Sequence, residues 1–531
     1  MLPWKKKKLI RKLQENFGKK PEKEYYAGDM DIIRTCFDAC RAEGRDPFYV
    51  DETTWKDLDM DDVYRRVNSC QSTAGEQYLY YMLRRPMGRE EFEKQRGLNR
   101  LAEERPDIRL KIQLILARLG IRRSVDLTSV FCPKDTSFFW LAVYGLLVLL
   151  TVASILLTVF CGITYIFLPV VLVAANAFFH EFRRIRCEND IDRVNYCVGL
   201  VCTLRRMQKL KLPELDRYLE DAYGHLDRMK PILRSGPVMS AMNTDPLQGM
   251  LMTVFLTDLI AFEILKRRLA KYHDHFLAVH EAVGRVDASV AIAGYRAGLD
   301  TRCEPEIDFT ADHPYIRAEG LVHPMLKNPV PNALNLEQSM LITGSNASGK
   351  STYLRSAVIN ALMAQTICTC TCESWQSSPF RIYTSMALSD DLLAGESYYM
   401  AEIRSLKRIL DDLDREGFVL CAVDEVLRGT NTIERIAASA EILKALDRPD
   451  TLCLIATHDA ELCTLSGEAY RQAHFEETVS DSEITFDYLL KPGPAETRNA
   501  IHLLKLMGFD EKIVTAAYRR ADGYVKTGKW E

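Results

Sequence analysis

The run from Phe138 to Phe179 contains no charged residue, and it constrains the fold more than any other feature of the sequence. About 20 apolar residues, each rising about 1.5 Å, span the hydrocarbon core of a bilayer, so one straight helix of this length would overshoot it. Two membrane-spanning helices, Phe138–Phe160 and Ile163–Phe179, with a turn near Cys161-Gly162, fit the run best. The alternative is a buried helical hairpin in a soluble core, which apolarity on every helix face disfavours. We therefore predict a transmembrane helical hairpin embedded through residues 138–179.

The charges that flank this run predict its orientation. Positive residues stand on both sides: Arg118, Arg122, Arg123 and Lys134 before it, and Arg183, Arg184 and Arg186 after it. Because lysine and arginine are enriched in cytoplasmic flanks, we expect a multi-pass protein of the cytoplasmic (inner) membrane with both termini in the cytoplasm. The basic segment Met1–Leu13 lacks the apolar region of a secretory signal. It predicts either a solvated helix or a contact with anionic lipid or nucleic-acid phosphate.

Composition indicates a folded protein of about two to four domains, with 47% hydrophobic and 27% charged residues in a chain of 531. The net charge of −4 argues against a uniformly basic nucleic-acid-binding protein, although a local basic patch is compatible with it. The fifteen cysteines are interpreted as reduced, small apolar residues. Cys368, Cys370 and Cys372 alternate with threonines, which suits one face of a strand better than a zinc site, because the spacing is too tight.

Sequence patterns divide the chain into segments. Charged and apolar residues alternate at helical spacing before and after the uncharged run, and prolines cluster between Pro305 and Asn335, which indicates a boundary near residue 300. The expected segments are a basic N-terminal segment (1–29), a helical core (30–135), the transmembrane hairpin (136–182), further helices (183–300) and a C-terminal α/β domain (301–531).

The segment Gly344–Thr352 reads GSNASGKST; it follows the apolar run Met340–Ile342 and precedes the helical pattern Tyr353–Gln365. This strand–loop–helix context is the one that the GxxxxGK[ST] motif requires. Glycines let backbone N–H groups turn towards phosphates, and the helix N-terminus adds its positive dipole. We predict that Lys350 binds the β- and γ-phosphates of ATP and that Ser351 binds Mg²⁺. The expected nucleotide-binding residues are Gly344, Ser345, Asn346, Ala347, Ser348, Gly349, Lys350, Ser351 and Thr352.

Two further apolar runs end in polar residues. Phe418–Glu425 reads as a strand that ends in two acids, of which Asp424 is expected to hold Mg²⁺ and Glu425 to polarise the attacking water. The run Leu452–Thr457 leads into His458, which is placed to sense the γ-phosphate; the alternative is a structural histidine at a strand end. The expected catalytic residues are therefore Lys350, Glu425 and His458.

Several of these stretches resemble the MutS-type ATPase family of DNA mismatch repair. The close resemblance lies within about residues 300–520: Ser389–Glu402 (SDDLLAGESYYMAE), Asp424–Thr432 (DEVLRGTNT), Ala456–His458 (ATH), and His323-Pro324 with Val330–Asn332. A looser resemblance covers 50–130 and 190–300, through Thr73–Pro86, Val286–Ala288 and Cys303–Pro305. It is similar there to the helical core and lever of MutS proteins.

The resemblance implies an α/β P-loop NTPase (ABC-like) C-terminal domain, preceded by an all-α core and lever domain that the transmembrane hairpin interrupts. It also implies hydrolysis of ATP with Mg²⁺ in a dimer, expected to be a homodimer, in which Ser397 of one protomer contacts the γ-phosphate bound by the other. A donor that arrives from the partner stabilises transition-state charge only in the closed dimer. The alternative for Ser397 is an ordinary helix cap. The partner that the resemblance implies is double-stranded DNA, mismatched or structured, in a DNA-repair-like role.

The sequence also departs from the family. About 50 residues precede the part that resembles the MutS helical core, too few for the mismatch-reading domain and its connector. The C-terminal helix-turn-helix extension is expected to be short or missing. Two hypotheses therefore stay open: a membrane-anchored DNA-binding ATPase, and a membrane-tethered ATPase switch that acts on a protein partner. An ABC-type transporter is disfavoured, because two spans form too small a pathway and the Leu-Ser-Gly-Gly-Gln signature is absent.

Overall fold

The computed structural model describes residues 3–122, 138–233, 246–345, 348–386, 398–428, 431–479, 484–495, 501, 504 and 507–527. The chain divides into two compact units. The helical unit comprises Met1–Pro47, Tyr64–Met82 and Glu93–Gly298, and the sheet unit comprises Phe48–Val63, Leu83–Phe92 and Leu299–Glu531. The sheet unit thus includes two short stretches from a part of the sequence whose pattern indicates helical core.

Helices dominate the chain up to Ala297. In chain order they are α1 (Pro3–Glu15), α2 (Asp29–Ala42), α3 (Glu52–Asp57), α4 (Met60–Val67), α5 (Thr73–Leu83), α6 (Arg89–Glu104), α7 (Pro106–Leu119), α8 (Phe139–Cys161), α9 (Phe167–Gln208), α10 (Pro213–Arg228), α11 (Pro246–Phe255), α12 (Thr257–Lys271) and α13 (His273–Ala297). Helix α10 is typical: it buries Leu215, Leu219 and Leu226, which recur on one face of the helix.

Helices α8 and α9 cover the uncharged run. Gly162, with φ of +112°, and a short 3-10 turn at Ile163–Tyr165 connect them. By length and composition, α8 and the stretch Ile163–Gln208 are each long and apolar enough to cross a membrane. Only 17% and 11% of their most apolar windows are buried. Helix α9 does not stop where the apolar run ends but continues as one helix of 42 residues.

The second half of α9 packs into the helical unit against α7, α10 and α13. Its buried Tyr196 accepts a hydrogen bond from Ala74 N at the start of α5, 2.9 Å away. Asp287 of α13 reaches the same helix start and accepts hydrogen bonds from Gln71 N at 2.9 Å, Ser72 N at 2.8 Å and Ser72 Oγ at 2.5 Å. The N-terminus of α5 is therefore held by side chains from two other helices.

The sheet unit contains a six-stranded sheet of order β12-β9-β4-β8-β7-β6, a four-stranded sheet of order β1-β5-β2-β3, and a β10–β11 pair. The strands are β1 (Glu306–Ile307), β2 (Ile316–Leu321), β3 (Asn332–Leu336), β4 (Met340–Thr343), β5 (Ser374–Ser377), β6 (Arg381–Ser385), β7 (Val419–Asp424), β8 (Thr451–Ala456), β9 (Arg471–His474), β10 (Glu477–Val479), β11 (Ile484–Phe486) and β12 (Lys491–Pro492). Strands β9, β4, β8, β7 and β6 are parallel, and β12 runs antiparallel to β9.

The central strands β4, β7 and β8 are buried along their whole length, as apolar strands of a parallel sheet must be. Among the described residues, the helices of this unit after β4 include α14 (Lys350–Ile367), α15 (Tyr398–Asp412), α16 (Thr432–Leu446), α17 (Ala460–Leu465) and α18 (Glu511–Thr527). The predicted α/β class of the C-terminal region is thus observed as a parallel sheet with helical connections, which directs the carboxyl ends of β4, β7 and β8 to one edge.

Candidate active site

Those predicted site residues that the structure describes meet at this edge of the six-stranded sheet. Strands β4, β8 and β7 are neighbours, with Ile342 and Asp424 both in register with Ala456. Ligands of open parallel sheets bind outside the carboxyl ends of the strands. A cavity of about 790 Å³ lies there, and Lys350, Asp424 and His458 all line it. The fold therefore brings together side chains that stand more than 100 positions apart in the sequence.

Two glycines give the loop after β4 its shape. Gly344 has φ of +145°, and a Cβ on it would lie 2.5 Å from the carbonyl oxygen of Phe475. Gly349 has φ of +105° and precedes α14, which begins at Lys350. Both positions have backbone angles that residues with a side chain rarely adopt. The described part of the loop is therefore built for close approach of the backbone to a ligand.

Lys350 is 5% exposed and points back over the loop. Its Nζ donates hydrogen bonds to the carbonyl oxygens of Gly344 and Ser345, each at 2.8 Å. Burial lowers the pKa of the ammonium to about 8, although the carboxylates of Asp424 and Glu425 favour its charged form. A bound anionic ligand would stabilise the charged form of the Lys350 ammonium group.

The other loop side chains are oriented by polar contacts or left open to a ligand. Ser345 Oγ donates to Oε2 of Glu477 at 2.7 Å. Ser348 Oγ is buried and has no hydrogen-bond partner within the part of the chain that the structure describes. A buried hydroxyl without a partner costs free energy, about 1–3 kcal/mol. A phosphate oxygen in the cavity would supply the missing partner.

Ser351 and Asp424 fit the predicted Mg²⁺ site. Both line the cavity, Ser351 from the first turn of α14 and Asp424 from the end of β7. Asp424 is 8% exposed, so its carboxylate faces the cavity and not bulk water. A hydroxyl and a carboxylate are hard oxygen ligands, which Mg²⁺ prefers together with phosphate oxygens. Thr352 lines the same cavity.

Glu425 leaves the end of β7 in a left-handed backbone conformation, with φ of +63°. Its backbone N–H donates to the carbonyl oxygen of Ala456 at 2.8 Å, which continues the β7–β8 ladder by one more bond. A non-glycine residue with positive φ costs free energy and is concentrated at functional sites. This turn is what directs the carboxylate of Glu425 into the cavity.

The Glu425 carboxylate has a neighbour on each oxygen. Nε2 of His458 lies 2.8 Å from Oε1, and Nε of Arg428 lies 2.8 Å from Oε2. The hydrogen bond with His458 lowers the pKa of Glu425 below its ordinary value, and burial opposes this only in part. Glu425 is therefore ionised at neutral pH and can accept a hydrogen bond from water.

Arg428 connects Asp424 and Glu425 to a third acidic residue, the buried Glu402. Its Nη2 donates to the carbonyl oxygen of Asp424 at 2.7 Å, and its backbone N–H donates to the Glu402 carboxylate at 3.0 Å. Glu402 is 4% exposed, and burial raises its pKa despite hydrogen bonds from two backbone N–H groups. Arg428 and Glu402 stand in the motifs that carry the family resemblance, but no role had been predicted for them.

The rim of the cavity includes the loop at His323 and Asn332 that the resemblance singles out. Asn332 Nδ2 donates to the carbonyl oxygen of Tyr488 at 2.9 Å, and Asn332 Oδ1 accepts from Leu490 N at 2.8 Å. Burial lowers the pKa of His323 to about 4, so its imidazole is neutral at neutral pH. Tyr488 and Leu326 add apolar surface to this rim, which suits a flat aromatic base.

Some predicted residues lie outside the described part of the chain. These are Asn346 and Ala347 of the loop and Ser397, so their predicted roles stay predictions. Conversely, sequence reasoning missed Glu477 and Tyr488, because neither stands in a recognised motif. Only the pairing of β10 with β11 and of β12 with β9 brings their part of the chain to the loop.

Comparison with known families agrees with this geometry. Residues 340–523 match the family model of MutS domain V. This part of the chain is similar to a MutS-type domain V. The match to the MutS-type domain begins at β4, continues through the phosphate loop, Asp424 and His458, and ends within α18.

Curated MutS proteins are similar to the same part of the chain. The DNA mismatch repair protein MutS of Natronomonas pharaonis is 32% identical over 267 residues, 48% of this chain and 30% of that protein. The DNA mismatch repair protein MutS of Lactobacillus gasseri is 32% identical over 237 residues, which is 42% of this chain and 27% of that protein. The protein of the same name from Streptococcus gordonii is 34% identical over 200 residues, which is 36% of this chain and 23% of that protein. The alignments thus cover between about a quarter and a third of each MutS relative.

Proposed function

We propose that this chain binds ATP with Mg²⁺ and hydrolyses it at the cavity between the phosphate loop and the ends of β7 and β8. The observation that carries the proposal is that one cavity is lined by Lys350, Asp424, Glu425 and His458 together. MutS family members are ATPases, and the similarity to them includes all four residues. An anion-binding loop beside an ionised carboxylate is the arrangement that phosphoryl transfer to water needs.

In the proposed reaction, Lys350 exchanges the carbonyl oxygens of Gly344 and Ser345 for phosphate oxygens of ATP. Ser351 and Asp424 would hold Mg²⁺, which would supply positive charge to the phosphates. Glu425 accepts a hydrogen bond from a water molecule and orients it towards the γ-phosphorus. The water oxygen forms the new bond as the bond between the γ-phosphorus and the bridging oxygen breaks. Glu425 accepts the proton that the water loses, and the products are ADP and inorganic phosphate.

The two neighbours of Glu425 then have distinct tasks. His458 hydrogen-bonds to Oε1 and fixes the direction of the carboxylate, whereas Arg428 forms an ion pair with Oε2 and donates a hydrogen bond to the Asp424 carbonyl oxygen. The ion pair with Arg428 must loosen for Oε2 to bond to water. We propose that nucleotide binding, which brings negative charge into the cavity, draws Arg428 away from Glu425.

We further propose that hydrolysis requires a dimer, in which Ser397 completes the site of the partner. Mixing two inactive variants tests this sharply: Lys350→Ala inactivates a protomer's own site, and Ser397→Ala removes the donor that it offers. If Ser397 acts in its partner's site, an equal mixture recovers up to about a quarter of wild-type activity, because half of the dimers are mixed and each has one intact site. A mixture as inactive as its components contradicts action between protomers.

Membrane anchoring through residues 138–179 is part of the proposal, in the cytoplasmic membrane with both termini and the ATPase site in the cytoplasm. Helix α8 has 23 residues and is about 34 Å long, against a hydrocarbon core of about 30 Å. Large apolar side chains on it are exposed, for example Val159 at 70% and Phe160 at 80%. Contact of this apolar surface with water is unfavourable, whereas contact with lipid is favourable.

Polar contacts couple the proposed anchor to the helical unit. Asn176 of α9 donates from Nδ2 to Thr151 Oγ1 of α8 and to the carbonyl oxygen of Val254 in α11, both at 2.9 Å. Nε2 of His180 lies 2.7 Å from Oδ2 of Asp258 in α12. Because α9 itself runs from the apolar segment into the core of the unit, displacement of that unit would be transmitted to the anchor. This continuity favours the second candidate, a membrane-tethered ATPase switch that acts on a protein partner.

Labelling of one native cysteine tests the topology. Cys161 is the last residue of α8, directly before the turn that connects α8 to α9, and is exposed. In intact host cells, a maleimide that cannot cross the membrane should label wild-type protein, and Cys161→Ser should abolish the label. Labelling only after the cells are opened would place this turn inside and contradict the proposed orientation.

Coupling to double-stranded DNA is the first candidate for what the ATPase drives, because the matched relatives are DNA mismatch repair proteins. Its test is the ATPase rate of the full chain in detergent with homoduplex, mismatched or branched DNA, at low and high salt. Stimulation that is lost at high salt supports DNA coupling, since phosphate contacts release counterions. A rate that no DNA form changes rejects it in favour of the switch. Lys350→Ala gives the background rate, and Lys444→Ala, an exposed lysine of α16, is the matched control.

A further inference from the structure

Three cysteine thiols from two distant segments meet in the sheet unit. Cys303 stands just before β1, and Cys370 and Cys372 stand just before β5, the neighbour of β1 in the four-stranded sheet. Cys303 and Cys370 form an isolated antiparallel bridge, with backbone N–O distances of 3.0 and 3.1 Å in the two directions. This bridge holds the two segments side by side, so the backbone positions of the three cysteines are fixed relative to one another.

The sulfur atoms are close enough to share one ion. All three lie within 4.8 Å of one another, and Sγ of Cys303 is 3.3 Å from Sγ of Cys372. With Zn–S bonds of about 2.3 Å, two thiolates of a tetrahedral site lie about 3.8 Å apart. The 3.3 Å separation is shorter than this value, and the 4.8 Å upper limit on the other two is longer, so side-chain rotation suffices for binding without a change of fold.

Tight spacing disfavours a zinc site only for the group Cys368, Cys370 and Cys372. Cys368 does not take part: its φ is +52° at the end of α14, and its sulfur lies 3.8 Å from the Phe92 carbonyl oxygen, beside Met87. The residue that completes the group is Cys303, 69 positions away from Cys372. The three cysteines of the CTCTC stretch, residues 368–372, therefore divide into one apolar packing residue and two members of the cluster.

We propose that Cys303, Cys370 and Cys372 bind one zinc ion as thiolates, with solvent at its fourth position. Binding releases three protons, because three thiols become thiolates, and leaves a net charge of −1 on the buried group. Cys370 and Cys372 are fully buried, whereas Cys303 is half-buried and provides the access route. Zinc accepts three protein ligands plus water in tetrahedral geometry.

The proposed ion would cross-link the start of the sheet unit to the strap between α14 and β5. Asn360 of α14 already holds that strap: its Oδ1 accepts from Thr371 N at 2.6 Å and its Nδ2 donates to the Val322 carbonyl oxygen at 3.1 Å. Val322 and its neighbour His323 line the nucleotide cavity. A zinc ion at the cluster would therefore stabilise the side of the sheet unit that supports the cavity rim. The proposal does not depend on ATP hydrolysis.

Cobalt binding to the full chain tests the proposal, with zinc content as a second readout. Wild-type protein, purified with reductant and without chelator, should contain about one zinc per chain and, after removal of zinc, should bind Co²⁺ with thiolate-to-cobalt charge-transfer absorption. Cys303→Ser, Cys370→Ser and Cys372→Ser should lower Co²⁺ affinity at least about tenfold. Cys368→Ser, the matched control in the same stretch, should bind as wild type does.

Cys303→Ser is the decisive variant, because its half-buried side chain tolerates the change, and circular dichroism verifies its fold. Zinc should raise the unfolding temperature of wild type and not that of Cys303→Ser. Three results would overturn the proposal: no metal and no charge-transfer band in wild type, equal Co²⁺ affinity in folded Cys303→Ser, or a Cys303–Cys372 disulfide in protein trapped directly from cells. Loss of metal without loss of ATPase activity would leave the proposed catalytic function intact.

Discussion

Nε2 of His458 lies 2.8 Å from Oε1 of Glu425. The two residues follow neighbouring parallel strands, β8 and β7, and the backbone bond from Glu425 N to Ala456 O keeps the strand ends together. A carboxylate fixed in this way points in one direction and stays ionised, as a water-orienting group must. The first two predictions test the two members of this pair separately.

Glu425→Gln should leave ATP binding nearly unchanged and lower the hydrolysis rate by about 10²–10⁴-fold, because the amide cannot accept a proton from water. Single-turnover hydrolysis and equilibrium binding of ATP measure the two effects. Glu416→Gln, at an exposed position just before β7, is the control and should hydrolyse ATP at the wild-type rate. Near-normal turnover of Glu425→Gln would assign water activation to another residue.

His458→Ala should act through Glu425 and not through ATP. We expect kcat to fall about 10–100-fold, since a hydrogen bond to a charged group contributes about 1.5–3 kcal/mol, while the Kd of ATP stays within about twofold. His313→Ala, whose side chain is 63% exposed, provides the comparison. If His458→Ala instead weakened ATP binding and left kcat unchanged, His458 would contact the nucleotide directly.

The affinity for ATP should fall at alkaline pH. Burial lowers the pKa of Lys350 from 10.5 to about 8 in the unliganded protein, and phosphates favour the protonated form. Above about pH 8, binding must therefore take up a proton, and Kd should rise up to tenfold per pH unit. Calorimetry in buffers of different ionisation enthalpy measures that proton; a pH-independent Kd between pH 7 and 9.5 would contradict the shift.

The same shift has a consequence for stability. Between about pH 8 and 10.5 the unfolded chain keeps the Lys350 proton and the folded chain does not, so this group makes the free energy of unfolding rise with pH in that window. The contribution disappears in Lys350→Met. A lysine stabilised by an ion pair would have the opposite effect and make the free energy of unfolding fall with pH.

Gly344→Ala should abolish nucleotide binding, because the added Cβ would lie 2.5 Å from the Phe475 carbonyl oxygen and must displace the loop. Gly417→Ala is a matched control: its φ of +96° is also left-handed, but a Cβ there meets nothing within 4 Å. The control should cost about 1–2 kcal/mol of backbone strain and keep ATP affinity. Fluorescent-nucleotide titration distinguishes the two, and equal affinities would show that the loop tolerates a side chain.

Asp287→Ala should destabilise the helical unit by about 2–4 kcal/mol, because it leaves the N–H groups of Gln71 and Ser72 and the Ser72 hydroxyl without their buried acceptor. Denaturant unfolding followed by circular dichroism measures the loss. Asp227→Ala, at an exposed position near the end of α10, should change stability by less than about 0.5 kcal/mol. Equal values for both variants would show that Asp287 is dispensable for the start of α5.

Much of the fold was predictable where the sequence pattern of a single segment determines its secondary structure. The uncharged run predicted two helices with a turn near Cys161-Gly162; the structure has two helices there, connected by Gly162 and the 3-10 turn Ile163–Tyr165. Helix α9, however, continues to Gln208, because charged residues that follow an apolar segment can extend a helix as readily as end it. Likewise, nothing local in residues 48–63 or 83–92 indicates that they pack in the sheet unit.

The sequence by itself determined the local chemistry of this protein. The segment GSNASGKST after an apolar strand predicts a tight loop that depends on its glycines. Asp424 and Glu425 at the end of another apolar strand predict a polar edge of the sheet. Both features are local, because backbone angles and burial are encoded within a few residues. Only the tertiary structure decided that Glu477 meets Ser345, that Arg428 meets Glu425 and that Cys303 meets Cys372. Strand order and backbone turns set these contacts, and a short segment does not encode where a distant one crosses the sheet.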